Sequence, residues 1–214
     1  MEFMYAYIAI AIIISFIPVL KSIFATIHTL IHETGHALAA LLTSGKVYSI
    51  SLYSTTDGVA CTGSRSWWSS VVVTYAGYTF SSLIAILAFF LIANEETVFL
   101  FYIFLLIALI NLLLWVRNKF GVLWLLLYIA GSLVIIHYQW NILKEIVVYL
   151  LSSVILVQSV LASFTILILS MTNSKQAGDA KGLQKLTLVP AFVWGIIFFS
   201  QSLLATYYVI VYLI

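Results

Sequence analysis

The stretch His32-Glu33-Thr34-Gly35-His36 has the form H-E-x-x-H and lies inside a strongly apolar segment. Residues four apart on an α-helix are turned by roughly 400°, so the two imidazoles stack on one face, about 6 Å apart along the axis. That spacing lets both rings reach a single Zn²⁺ at Zn–N distances of about 2.0–2.1 Å. Glu33 stands beside the first ring, where its carboxylate can take a proton from a metal-bound water. From Ile23 to Leu42 it is the only formal charge. An ionisable group inside a membrane span marks a functional site by default.

Burying His, Glu and His together in hydrocarbon is costly without a compensating partner, and zinc supplies one. His28, one turn back on the same face, reads differently. Three successive turns cannot all converge on one ion, so His28 is expected to pack between helices or to support a ligand.

Composition agrees with a membrane setting. The chain has 214 residues, 64% of them hydrophobic and 7% charged, with a mean hydropathy of +1.18. Soluble domains carry about 25% charged residues, which excludes a single large soluble core. A net charge of +2 gives no sign of nucleic acid as a partner. The one cysteine, Cys61, cannot close an intrachain disulfide and is expected to be an inert thiol. The first apolar run follows Glu2 with no basic stretch before it, so a first span is expected rather than a cleavable signal.

About 20 apolar residues cross the hydrocarbon, and seven spans are expected on that length. The first two run from Phe3 to Leu20 and from Ser22 to Thr43, the second carrying the motif before Ser44-Gly45 ends it. Residues 46–62 are rich in Val, Ile, Tyr, Thr and Ser, with Asp57-Gly58 as a turn signal, and predict a β-hairpin. Its free edge could hold a substrate in extended form by strand addition. Further spans are expected at Trp67–Ala93, Val98–Val116, Phe120–Tyr138, Ile146–Met171 and Leu183–Ile214. Gly77 inside the third is explained by close helix packing. Asn111 and Gln158 are expected to bond between helices. A polar segment, residues 172–182, separates the last two spans.

A catalytic zinc takes three protein ligands and the helix supplies two. The acids available are Asp57, Glu95, Glu96, Glu145 and Asp179. With a cytoplasmic N-terminus and alternating spans, the cytoplasmic turns would hold Lys46, Arg65, Arg117, Lys119, Lys175, Lys181 and Lys185. The external ones would hold only Lys21 and Lys144. Glu95 and Glu96 then lie away from the motif, Asp57 is explained by its turn, and Asp179 returns on the motif's side. Asp179 is the better candidate.

With these residues in hand, the chain resembles the site-2 protease family of intramembrane zinc metalloproteases, and within it the compact bacterial peptidase-like branch. The resemblance rests on HETGH in an early span, the hairpin from Gly45 to Thr62, and Tyr75-Ala76-Gly77-Tyr78. It also rests on the basic turn from Trp115 to Gly121 and on Gly178-Asp179-Ala180 before a Leu-Thr-x-x-Pro-x-x-x-Trp pattern. It implies proteolysis within the bilayer, with one Zn²⁺ held by His32, His36 and Asp179. Better-known members set that aspartate in an Asn-Pro-x-x-Asp-Gly-like context, and here alanine follows it.

The sequence thus predicts an all-α polytopic membrane protein with one small β-hairpin, a single domain over residues 1–214. It predicts a multi-pass protein of the cell membrane with a cytoplasmic N-terminus. The expected activity is zinc-dependent hydrolysis of membrane-spanning proteins or peptides, with Glu33 as general base. A degenerate metal-binding scaffold or chaperone and a small transporter are the rivals. An intact Glu33 argues against the first, and the lack of other paired intramembrane charges against the second.

Overall fold

A computed structural model describes residues 3–214, so that the first two residues of the expected domain lie outside it. The chain opens with α1 (Phe3–Phe16), α2 (Pro18–Phe24) and α3 (Thr26–Leu42), followed by β1 (Lys46–Leu52) and β2 (Gly58–Gly63). Four long helices come next: α4 (Trp67–Ala93), α5 (Thr97–Leu114), α6 (Lys119–His137) and α7 (Asn141–Thr172). A 3₁₀ turn at Ser174–Gln176, the short α8 (Gly178–Thr187) and α9 (Ala191–Tyr212) close the chain.

Five helices, α4 to α7 and α9, are long and apolar enough to cross a membrane. Within each, only 22–44% of the most apolar stretch is buried. The remaining apolar side chains face outward, an arrangement that hydrocarbon tolerates and water does not. The protein is therefore a multi-pass membrane protein.

The expected seven spans become five, or six if α1 and α2 count as one broken span. Those two helices meet at 117°. Pro18 opens α2, where its missing N–H removes no helix hydrogen bond, and Ile17 before it is extended. α3 has 17 residues, a length of roughly 25 Å at 1.5 Å per residue. The last expected span also divides. Leu188 adopts a left-handed conformation (φ 64°) and ends α8, and Pro190 caps α9.

Packing fixes directions. Thr43 and Ser69 hydroxyls bond at 2.7 Å and His36 bonds to Val73, so α3 and α4 run antiparallel. Phe3 and Tyr7 rest on Tyr149, while Gln158 donates to Ser15 at 2.7 Å, so α1 runs parallel to α7. α1 therefore begins at the bundle end opposite α8, beside the start of α7. The expected arrangement placed the N-terminus with the basic turns; this packing separates them.

β1 and β2 pair antiparallel, with a bulge between Val47 and Ser49. The turn falls at Tyr53–Asp57, its centre at Thr55 two to three residues before the expected Asp57-Gly58, and Thr56 takes a positive φ there. The outer edge of β1 is occupied. Ile50 donates to Trp115 O at 2.8 Å and accepts from Arg117 N at 3.3 Å, and the Asn118 side chain both accepts from and donates to the Leu52 backbone. In an antiparallel pair, residues opposite such outward-facing partners also face outward. Ala60 lies opposite Ile50 and Gly58 opposite Leu52, so both turn their backbone groups away from β1.

Candidate metal centre and cleft

α3 presents His32, Glu33 and His36 because its helical period brings residues four apart to one face. His36 Nδ1 donates to the Val73 carbonyl at 2.6 Å. That bond fixes the tautomer, leaving Nε2 as a lone-pair donor pointed into the site. The His32 ring lies edge-on to Tyr78, with centroids 4.6 Å apart, and Tyr78 in turn packs on Phe198 of α9.

α8 delivers the third group. Asp179 Oδ2 lies 3.2 Å from His32 Nε2 and 3.3 Å from His36 Nε2, and the two nitrogens are 3.1 Å apart. Three ligands at about 2.0–2.1 Å around a tetrahedral ion stand roughly 3.3 Å from one another, so the observed triangle has the size that zinc requires. The electron count agrees. Asp179 Oδ2 is buried with no hydrogen-bond partner, and His36 Nε2, with its proton on Nδ1, has none to offer. Electron pairs facing each other at this distance call for a cation between them.

Glu33 is 4% exposed and lies against β2. A Cβ on Gly58 would come within 2.5 Å of its Oε1, and the Ala60 amide points at the same carboxylate. The outer edge of the hairpin thus seats Glu33. Gly77 plays the matching part on α4. A Cβ there would meet His32 Nε2 at 2.5 Å and His36 Nε2 at 2.6 Å. Its glycine was explained in the sequence by helix packing alone. In the fold, the room it leaves is taken by both imidazoles.

His32, Glu33, His36 and Asp179 line a cavity of about 600 Å³ walled by α3, the hairpin turn and β2, α4, α7 and the start of α8. His28 and Gln158 also line it, as does Lys21, which the sequence placed in an external turn. Asp57 reaches the cavity from the hairpin turn, bonded by Thr55 at 2.7 Å, but is not one of the three converging groups. Glu95, Glu96 and Glu145 lie at the opposite bundle end, in the α4–α5 turn and the first turns of α7. Asn111 bonds Thr34 of α3 at 2.9 Å and Gln158 bonds Ser15 of α1, the interhelical roles expected of them. Cys61 is free and exposed. Val73 carries no signal in the sequence, and Tyr78 only as part of the Tyr75–Tyr78 segment, because their importance comes from the crossing of α4 over α3.

The chain matches the family model described as Peptidase M50B-like over residues 4–209. Neither a curated protein nor a solved structure matches it. That match covers nearly the whole fold, from α1 into the last turns of α9, and the chain belongs to the Peptidase M50B-like group of the site-2 protease family of membrane metalloproteases.

Proposed function

We propose that this protein is an intramembrane zinc metalloprotease that hydrolyses peptide bonds of membrane-spanning substrates. His32, His36 and Asp179 hold the ion and Glu33 serves as general base. The observation that carries the reading is the triangle of His32 Nε2, His36 Nε2 and Asp179 Oδ2, 3.1–3.3 Å apart, with the buried Glu33 carboxylate on the helix that bears both histidines.

Two neutral imidazoles and one carboxylate reduce a divalent ion to a net +1, which lowers the cost of holding it in low dielectric. When bound, zinc lowers the pKa of water and polarises the scissile carbonyl. The remaining work falls to the chain. Val73 fixes the His36 tautomer, and Tyr78 packs against the His32 ring. Glu33 takes a proton from the attacking water at its carboxylate and passes it to the departing amine nitrogen. A substrate segment drawn out as a strand beside β2 would pass Glu33 with its carbonyls exposed, which a helical segment cannot do. Seven basic residues lie at the site's end of the bundle, and the positive-inside rule supports a cytoplasmic location for that end.

The test is metal analysis of purified protein together with cleavage of reconstituted transmembrane peptides, read by mass spectrometry. About one zinc per chain and metal-dependent cleavage are expected. Zinc-free protein that still cleaves would overturn the reading.

A further inference from the structure

The cavity has a second end that the hydrolytic groups do not use. Gln158, which lines the cavity, is the eighteenth residue of the 32-residue α7, so the cavity reaches about halfway along a membrane-crossing helix. Lys21 and His28 line it too. Lys21 is the only formally charged residue between Phe3 and Ile31. It makes no ion pair among the described residues, where the only ion pairs are those of Asp179. An unpaired charged side chain lining a cavity between membrane-crossing helices characteristically marks the path of a ligand. His28 is 6% exposed, and its Nε2 is buried with no hydrogen-bond partner. The other polar groups here are committed: Gln158 Nε2 donates to Ser15, and Thr29 donates to the Thr56 carbonyl at 2.7 Å. The acid on this rim, Asp57, is exposed and held by Thr55.

We propose that the Lys21–His28 end of the cavity is a subsite for a substrate carboxylate, an aspartate or glutamate side chain close to the scissile bond. The proposal rests on the proteolytic reading of the site and adds the chemistry of what it selects. Spacing follows from α3. His28 lies one turn from His32 and two turns from His36, roughly 6 and 12 Å along the axis. An extended peptide advances about 3.3 Å per residue, so the acid sits roughly two to four residues from the bond that is cut. The bend between α1 and α2 is what brings Lys21 inward; a straight first span would have carried it to the far surface.

The experiment uses a Leu/Ala transmembrane peptide in lipid vesicles, with a single glutamate stepped through it and a glutamine series as reference. Binding is measured to zinc-loaded Glu33→Gln protein, and cleavage positions are read with the unaltered protein. The glutamate peptides are expected to bind roughly tenfold or more tightly than their glutamine counterparts, as a charge-assisted hydrogen bond implies. Cuts should fall two to four residues from the acid. Lys21→Met should bring the glutamate-to-glutamine ratio to about one at unchanged zinc content, Lys21→Arg should keep a preference, and His28→Phe should reduce it. Equal binding of the two series, or a Lys21→Met effect equal on both, would overturn the subsite. Preferential binding of glutamate peptides without cleavage would support the subsite and refute proteolysis, so the two failures are distinct.

Discussion

Glu33 is held on one side by α3 and on the other by Gly58 and Ala60 of β2, so its carboxylate has little freedom to move. Glu33→Gln keeps size and hydrogen bonding but cannot accept a proton. Cleavage should fall by about 10²–10⁴-fold with zinc retained; undiminished cleavage would remove Glu33 from the chemistry. Gly77 gives an independent check of where the ion sits. Gly77→Ala places a methyl against both metal-facing nitrogens, and zinc affinity should fall by roughly 10–100-fold in a chelator competition. Gly131→Ala is the control, because nothing lies within 4 Å of its Cβ. Equal affinity in the two variants would show that the ion binds elsewhere. The unequal legibility of these residues has a physical basis. Glu33 announces itself because a lone carboxylate in an apolar helix has no other use, whereas Gly77 matters only through the distance between two helix axes, which no pattern in one chain encodes.

α8 is the element on which the third ligand depends. It is a ten-residue helix whose N-cap is Ala177, with Asp179 in its first turn, and the alternative role for that residue is local support of the helix start. Asp179→Asn preserves the size and polarity of the side chain but removes the charge. A residue with only that supporting role would leave zinc content intact, whereas a ligand would not, so purified Asp179→Asn should lose most of its metal while remaining folded by circular dichroism. Full zinc content in that variant would return the question to the other acids. The hairpin was legible because β-branched and aromatic residues with a turn signal at residues 57–58 have few other solutions. The first two helices were not. Mean hydropathy is blind to direction, and the 117° bend rests on Pro18 and on how α1 packs against α7. The break at Leu188 was equally hidden, since leucine gives no sign that it will take a positive φ.

For the whole molecule, the packing of α1 parallel to α7 makes a statement about sidedness that can be tested directly. α5 runs between the turn at Glu95-Glu96 and the one at Arg117–Lys119, so these turns lie at opposite ends of the bundle. Lys46, Arg65, Arg117, Lys119, Lys175, Lys181 and Lys185 belong to the end that holds the metal centre, while Lys144 lies at the other and Lys21 in the cavity. The positive-inside rule then predicts a cytoplasmic site end. Phe3 packs on Tyr149 near the start of α7, so α1 begins at the bundle end opposite those seven residues, and the same rule predicts an external start for α1. Single cysteines at positions 3, 95 and 119, each in a Cys61→Ala background, separate the cases in intact cells. An impermeant thiol reagent should label positions 3 and 95 and spare 119. Labelling of 119 alone would invert the whole bundle and put the zinc site near the external face. Labelling of 95 with 3 and 119 both protected would mean that α1 crosses fully before α3 begins, which the Ser15–Gln158 hydrogen bond and the Phe3–Tyr149 contact do not allow.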